Sequence, residues 1–295
     1  MGAVDNSRPQ KGPPMRIGSN PLRNGEAPKH LPAEIAAVIT YLPNQDGYFQ
    51  RRLDVIKACL RSMRDGANVP VMVWDNGSCP ALRDWLRDDY RPDILILSHN
   101  VGKQSARRAM VGMFSPETII GVTDDDMLFY PGWWDESVKL LKGFPNVGLV
   151  SAWPTRMAFD WATSSTTAWA ADNAEIETGH YITQQEETDY ATSVGVPVGE
   201  HLQRVASRYD IRIRYNGMTA YAMAQHCQFI AYAGRIMPYC WYTPYAMGGE
   251  RSFDEAIDKD GLLRLTTTAR LARHMGNEPI LDDKLHTELV EMGLL

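Results

Sequence analysis

The chain has 295 residues, 44% hydrophobic and 22% charged, with a formal net charge of -6 and a pI of about 5.7. That length and composition fit one large α/β domain with a real core, with room for a second compact domain. The acidic balance sets up no global field toward nucleic acid or anionic lipid, although a local basic patch stays open.

Six prolines (Pro9, Pro13, Pro14, Pro21, Pro28 and Pro32) with no apolar period mark residues 1–33 as an irregular arm. No apolar run approaches the ~20 residues of a membrane span, and no signal-peptide core is visible, so the expected compartment is cytoplasmic. Order begins at Glu34. Ile35–Tyr41 reads as a buried parallel strand, and residues 49–65, with Leu53, Ile56, Leu60 and Met63 at helical spacing, as a helix.

Val69–Trp74 is predicted as a second strand, Ala81–Asp89 as a helix and Ile94–Leu97 as a third strand. Residues 103–114 follow as a helix, Thr118–Val122 as a strand, Trp133–Lys142 as a helix and Val147–Ser151 as a fifth strand. This alternation predicts an α/β fold with a mostly parallel, doubly wound sheet flanked by helices. Ligands gather at the carboxyl ends of such strands.

From Met157 to Gln203 there is no Lys or Arg but eight acidic residues, which predicts an inserted lobe at about 155–220 rather than more sheet. Gln225–Ala233 then reads as a strand, Phe253–Leu263 as a helix, Leu265–Ala269 as extended and Asp282–Met292 as a last helix. The domain expectation is 34–153 for one half and 154–295 for the other. Cys59, Cys79, Cys227 and Cys240 lack zinc-site spacing and disulfide density, so they read as free thiols.

The strongest chemical signal is Asp124-Asp125-Asp126 directly after the apolar Ile119-Ile120-Gly121-Val122. Three adjacent carboxylates at a buried strand end need a compensating cation, and a divalent ion shared with phosphate oxygens is the natural one. A haloacid-type phosphatase also places Asp-x-Asp after a strand. It wants Thr or Val where Leu128 stands, and uses the first strand rather than the fourth.

A second signal is His99-Asn100-Val101-Gly102-Lys103-Gln104-Ser105-Ala106-Arg107, where a glycine opens a helix with cations in its early turns. Helix N-termini and cations both favour a diphosphate. Asp75 heads a third segment, Asp75-Asn76-Gly77-Ser78, which is turn chemistry and can also hold a ribose or base edge.

In order along the chain stand Thr40-Tyr41-Leu42-Pro43-Asn44, Asp75-Asn76-Gly77-Ser78, Asn100-x-Gly102-x-x-x-Ala106-Arg107, Asp124-Asp125-Asp126 and Tyr130-Pro131-Gly132-Trp133. Over residues 35–153 this series resembles the nucleotide-sugar half of GT-A type glycosyltransferases, close to glycosyltransferase family 2. The resemblance implies a Rossmann-like GT-A sheet with an inserted acceptor-side lobe, and a nucleotide-diphosphate sugar as donor. It implies that Thr40, Tyr41 and Asp75 hold the nucleoside, with Asn100 and Asp125 in the donor site and Lys103 or Arg107 near the nucleoside or diphosphate. Asp124 would face the ribose, and Asp126, with Asp124, would ligate Mn²⁺ or Mg²⁺.

The distal half departs from the family pattern. Counted back from Gly261, Glu250 falls where the family's catalytic Asp stands, while Gly249 replaces the usual Glu and Ala256 the frequent Arg. Glu250 is therefore the expected base, with Asp254 as its alternative. Arg273-His274-Met275-Gly276 resembles the family's late His-x-Gly, which puts His274 in the metal shell. His226 and His286 stand in no comparable context.

The expected acceptor is a carbohydrate or small glycoside, and the expected outcome is inversion. Aromatics such as Trp153, Trp161, Trp169, Trp241, Tyr242 and Tyr245 could face a sugar or form a small core. A hydroxylated base in DNA, held by a patch of Arg204, Arg208, Arg212 and Arg214, ranks behind. Rival readings of another class are a nucleotidyltransferase, which would need a Gly-rich loop after the first strand, and a binding protein that has lost catalysis.

Overall fold

The structure, a computed structural model, describes residues 31–241, 249–276 and 283–295. Most of the Pro-rich arm, together with Tyr242, Tyr245, Asn277 and Asp282, lies outside the described residues. The first half alternates strands and helices: β1 (Glu34–Thr40), α1 (Arg52–Ala67), β2 (Val71–Asn76), α2 (Pro80–Trp85), β3 (Ile94–Ser98), α3 (Lys103–Val111) and β4 (Ile119–Asp124). Then come β5 (Met127–Phe129), α4 (Trp133–Gly143), β6 (Val147–Ser151), α5 (Ser164–Asn173), β7 (Glu175–Gly179), α6 (Gln184–Ser193) and α7 (Val198–Val205). The chain continues through β8 (Asp210–Tyr215), β9 (Met218–Tyr221), β10 (Gln228–Tyr232), α8 (Ala233–Ile236), α9 (Glu250–Lys259), β11 (Leu263–Thr267), β12 (Ala272–His274) and α10 (Asp283–Glu291).

Among the described residues one sheet of ten strands runs β3-β2-β1-β4-β10-β6-β11-β9-β8-β7, and β12 pairs with β5 beside it. Only β7, β9 and β10 oppose the other seven, so the sheet is mixed but mostly parallel. The apolar run of β1 is explained by burial on both faces. Ala36 and Val38 enter one core cluster, while Ile35, Ala37 and Ile39 enter the cluster on the other side. Burial of Val38, Ile35 or Ile39 contributes roughly 1.5–3 kcal/mol each.

Parallel register brings the motifs level. Thr40 lies opposite Asp75, and Ile39 opposite Asp124. The antiparallel β10 pairs Gln228 with Thr123, which carries residues 226 and 227 to the same edge. On the small sheet, His274 pairs with Met127. Met127-Leu128-Phe129, the apolar run that follows the aspartates, is buried as β5.

The expectation that the lobe is separate from the sheet is corrected in part. Residues 175–179 and 210–221 form β7, β8 and β9, which extend the sheet beyond β11 through β9. Its acidity is matched from outside the Lys/Arg-free stretch. Asp160 pairs with Arg208, Asp189 with Arg270, and Glu177 with Arg212 and Arg214. Each arginine of the suggested patch of Arg204, Arg208, Arg212 and Arg214 already has a neighbour. Arg204 sits on the His201 ring at 3.2 Å, and the other three face carboxylates. Trp169 takes the core reading, with its ring 5.2 Å from that of Tyr215.

Trp133 and Trp134 cross the back of β4. A Cβ at Gly121 would lie 2.7 Å from Trp134 Cζ3 and 3.4 Å from Trp133 Cη2. Gly121→Val is therefore expected to destabilise the protein by about 1–3 kcal/mol through overpacking, measured as a lowered urea midpoint. A midpoint equal to that of the wild type would show that the two indoles yield freely.

Candidate active site

The carboxyl ends of β1, β2 and β4 border a cavity of about 390 Å³ lined by Ile39, Tyr41, Tyr48, Phe49, Arg52, Asn76, Asn100, Lys103 and Asp124, Asp125 and Asp126. Asn100 faces this space because the loop after β2 is tight. Gly77 has φ +98, and a Cβ there would lie 2.7 Å from the Asn100 backbone nitrogen, so no other residue fits without strain. Asn76 then donates to Asn100 Oδ1 at 3.2 Å and accepts the Val101 N–H at 2.9 Å.

Each of the three aspartates has a different set of partners. Asp124 Oδ2 accepts from Lys103 Nζ at 2.8 Å. Asp125 accepts the Tyr41 N–H at 3.1 Å and is bridged by Arg52. Asp126 Oδ2 meets Arg52 Nη1 at 3.0 Å and His274 Nε2 at 3.3 Å. Asp126 Oδ1 is buried without a hydrogen bond among the described residues.

Burial and neighbouring charge compete at every group here. For Asp126, burial works against the charge, but the His274 and Arg52 cations override it and hold the carboxyl well below its usual range. For Asp125, burial prevails over Arg52 and pushes the carboxyl up, helped by its two acidic neighbours. Burial would discharge His274 and Lys103, yet Asp126 and Asp124 respectively raise both and keep them cationic.

Arg52 was not singled out in the sequence, nor were Tyr48 and Phe49, and Asn76 stood there only as part of the turn after Asp75. Arg52 opens α1, 73 positions before Asp125, and no motif marks it. The only legible hint was that the acidic cluster needed a cation.

Thr40 and Asp75, expected at the nucleoside, are both fully buried. The Asp75 carboxylate accepts from Thr40 Oγ1 (3.3 Å), Ser78 N (3.2 Å) and Arg83 Nε (2.8 Å), so it braces the loop beneath the cavity. Arg107, expected near the nucleoside or diphosphate, is also fully buried, its guanidinium 5.3 Å from the Phe253 ring and 5.8 Å from that of Phe229. It lies one helical turn beyond Lys103, too deep on α3 to line the cavity.

On the far side of β4, α9 presents Glu250 and Asp254 one turn apart. Glu250 Oε1 lies 3.3 Å from Lys103 Nζ. Burial would raise its carboxyl, but the Lys103 ammonium overrides this and lowers it. Asp254 is fully buried. It accepts from His226 Nδ1 at 2.7 Å and Trp161 Nε1 at 3.3 Å, and its other oxygen lies 2.7 Å from Arg264 Nη2. Trp153 stacks on the His274 ring with centroids 5.7 Å apart.

The residue set does not form a ready-made metal cage. Among the described residues no group of three or more His, Cys, Asp and Glu side chains converges on one point. It fits an ion that takes most of its ligands from elsewhere. Asp126 keeps Oδ1 without a hydrogen bond among the described residues and has His274 Nε2 3.3 Å from Oδ2, an oxygen-plus-imidazole set that a divalent ion could complete with phosphate oxygens and water.

The family pattern described as Glycosyl transferase family 2 matches residues 48–206, more than half of the chain. The chain belongs to glycosyl transferase family 2. Among curated proteins none matches it.

Solved structures are similar at a distance. A mannosyltransferase from Pyrobaculum calidifontis, in complex with GDP-Man and Mn²⁺, is 23% identical, with a TM-score of 0.34 over 48% of this chain and 41% of that one. GalNAc-T7 with UDP, GalNAc and Mn²⁺ is 11% identical, with a TM-score of 0.48 over 82% of this chain and 43% of that one. S. aureus TarS 1-349 with UDP-GlcNAc is 11% identical, with a TM-score of 0.44 over 80% of this chain and 56% of that one. This chain thus spans well under two thirds of each. At these scores none of the three informs what this chain binds or acts on. No helix among the described residues is long and apolar enough to cross a membrane.

Proposed function

We propose that this glycosyltransferase moves a sugar from a nucleotide-diphosphate sugar to an acceptor hydroxyl, with a divalent metal and with inversion. The observation that carries the reading is Asp126 in the lining of a cavity of aromatic and amide side chains, with one carboxylate oxygen buried without a hydrogen bond among the described residues and the other 3.3 Å from His274 Nε2. In this reading residues 34–153 hold the donor and residues 154–295 build the acceptor side. Tyr41, Tyr48 and Phe49 offer ring faces to the base, and Asn76 and Asn100 offer amides to its edge or the ribose. Asp75 and Thr40 act beneath, through the loop they brace.

Asp126 and His274, with Asp124, would hold Mn²⁺ or Mg²⁺, which when bound neutralises the leaving diphosphate. Lys103 lines the same space and adds a cation there. The acceptor is a carbohydrate or small glycoside, approaching from β10 and α9. A DNA acceptor loses its support, because Arg208, Arg212 and Arg214 are paired with carboxylates.

A thermal-shift screen of UDP-, GDP-, CDP- and dTDP-sugars, each with Mn²⁺ and with EDTA, tests this reading. One nucleotide class at ~100 times its Kd should add about 2.7 kcal/mol of stability, and only with metal. Stabilisation by none of the four would remove the donor assignment.

A further inference from the structure

We propose that His226, held by the buried carboxylate of Asp254, is the base that takes the acceptor's proton, in place of Glu250. The inference rests on the glycosyl-transfer reading above. Its starting point is the position of residue 226 in the fold. The Cys227 carbonyl accepts the Asp124 N–H at 2.8 Å, so residue 226 stands at the carboxyl end of β4, where the aspartates begin.

The sheet order puts the two substrates on opposite sides of that point. The cavity with its aromatic and amide lining lies over β1 and β2, and β10 lies across β4 from them. With the nucleoside over β1 and β2 and the diphosphate at Asp126, as in the reading above, the sugar carbon would lie toward β10 and α9. That side presents His226 and Glu250.

The two differ in what holds them. Glu250 is tied to Lys103, which is itself tied to Asp124. An acid whose proton affinity is lowered by an ammonium is a weak acceptor for a hydroxyl proton. His226 instead has one nitrogen committed and one available. Nδ1 donates to Asp254 at 2.7 Å, and Nε2 makes no hydrogen bond among the described residues.

The side chain is 25% exposed, so the imidazole reaches solvent while its carboxylate partner does not. Asp254 cannot turn away from it. Trp161 and Arg264 grip the same carboxylate, and Arg264 is anchored on the carbonyls of Ala162 (2.6 Å) and Ala224 (2.8 Å). A buried carboxylate that fixes an imidazole's tautomer and faces the imidazolium as it forms is the arrangement of a base–orienter pair.

In the step, the acceptor oxygen bonds to the anomeric carbon as its proton passes to His226 Nε2. The bond from that carbon to the diphosphate oxygen breaks, and its electron pair leaves with the nucleoside diphosphate. The imidazolium then returns the proton to water. Asp254 is a positioning residue throughout.

The experiment compares wild type, His226→Ala, His226→Gln, Asp254→Asn and Glu250→Gln, using the nucleotide sugar that stabilises the wild type with Mn²⁺. Donor binding is read by thermal shift, and release of nucleoside diphosphate is followed with p-nitrophenyl glycosides or water as acceptor. Both His226 variants should bind donor within about twofold of the wild type and lose at least ~100-fold in kcat. Added imidazole should restore part of the His226→Ala activity, which a merely structural histidine would not allow. Asp254→Asn should lose kcat with KM for the donor little changed, and Glu250→Gln less than tenfold.

The proposal is overturned if His226→Gln keeps a third or more of kcat, or if Glu250→Gln carries the 100-fold loss instead. It is also overturned if the wild type binds donor and releases no nucleoside diphosphate, since a pure binder needs no base. If the wild type binds no nucleotide sugar at all, the glycosyl-transfer reading itself has failed, and that outcome is distinct from the others.

Discussion

Asp126→Ala is expected to lower kcat/KM for the donor by about 10³-fold, roughly 4 kcal/mol of transition-state stabilisation, and to abolish the response to Mn²⁺. The loss should be large because Asp126 holds two groups together. Its Oδ2 contacts both His274 and Arg52, and its Oδ1 is the unpartnered buried oxygen of the site. Removing the carboxylate takes away the anion that faces Arg52 and the oxygen that lies against His274.

The variant also separates two sources of positive charge. Arg52 already bridges Asp125 and Asp126. If the wild type turns over fully in EDTA, Arg52 supplies the neutralising cation and the metal assignment fails. If EDTA and Asp126→Ala give the same low rate, and Mn²⁺ rescues only the wild type, Asp126 is the metal's anchor. Initial rates in EDTA and in Mn²⁺, for both proteins, decide between these outcomes.

Arg264→Ala is expected to destabilise the fold by about 3 kcal/mol, the lower end of the range of roughly 3–5 for breaking a buried ion pair. Arg264 and Asp254 are both fully buried, with Nη2 and Oδ1 2.7 Å apart. Burial lowers the arginine's own proton affinity, against the pull of Asp254, which reflects how dry the pocket is. The lower end applies because Trp161 and His226 still donate to Asp254 after the arginine is gone.

The double variant Arg264→Met with Asp254→Leu should recover most of the stability, since apolar groups of similar volume can replace a buried pair at little cost. If His226 is the base, that protein should fold and bind donor but transfer poorly. Urea denaturation of the three proteins gives the energies. A loss below about 1 kcal/mol for Arg264→Ala would mean the pair is hydrated and the carboxylate loosely held.

Much of residues 34–153 was legible because the determinants there are local. β1, β2, β3, β4 and β6 follow from short apolar runs, and α1 from its helical spacing of buried residues. The loops after them carry residue types that the turn itself requires, such as Gly77 at positive φ. Boundaries shifted by a few residues where tertiary pairing outweighed propensity. β4 runs on to Asp124 because its N–H is paired with the Cys227 carbonyl, and α9 begins at Glu250 rather than Phe253.

The remainder depends on contacts across long stretches of chain, which no local pattern encodes. Arg52 meets Asp125, His226 meets Asp254, and Arg264 reaches the carbonyl of Ala224 only once the sheet is assembled. The same holds for Arg107 and Asp75, expected at the donor and both fully buried. Periodicity tells which face of an element is apolar, but not which polar side chain will be covered by a distant helix.

Composition and motif spacing by themselves determined the α/β class, the donor-side strand ends and the family, because each rests on residues adjacent in sequence. Tertiary structure alone decided that β7, β8 and β9 extend the sheet and that the lobe's acids are internally neutralised. It also decided that a buried carboxylate on α9 grips a histidine from the start of β10. The physical reason is that a charge's role depends on its desolvation and its partner, and both are supplied by parts of the chain far away in sequence.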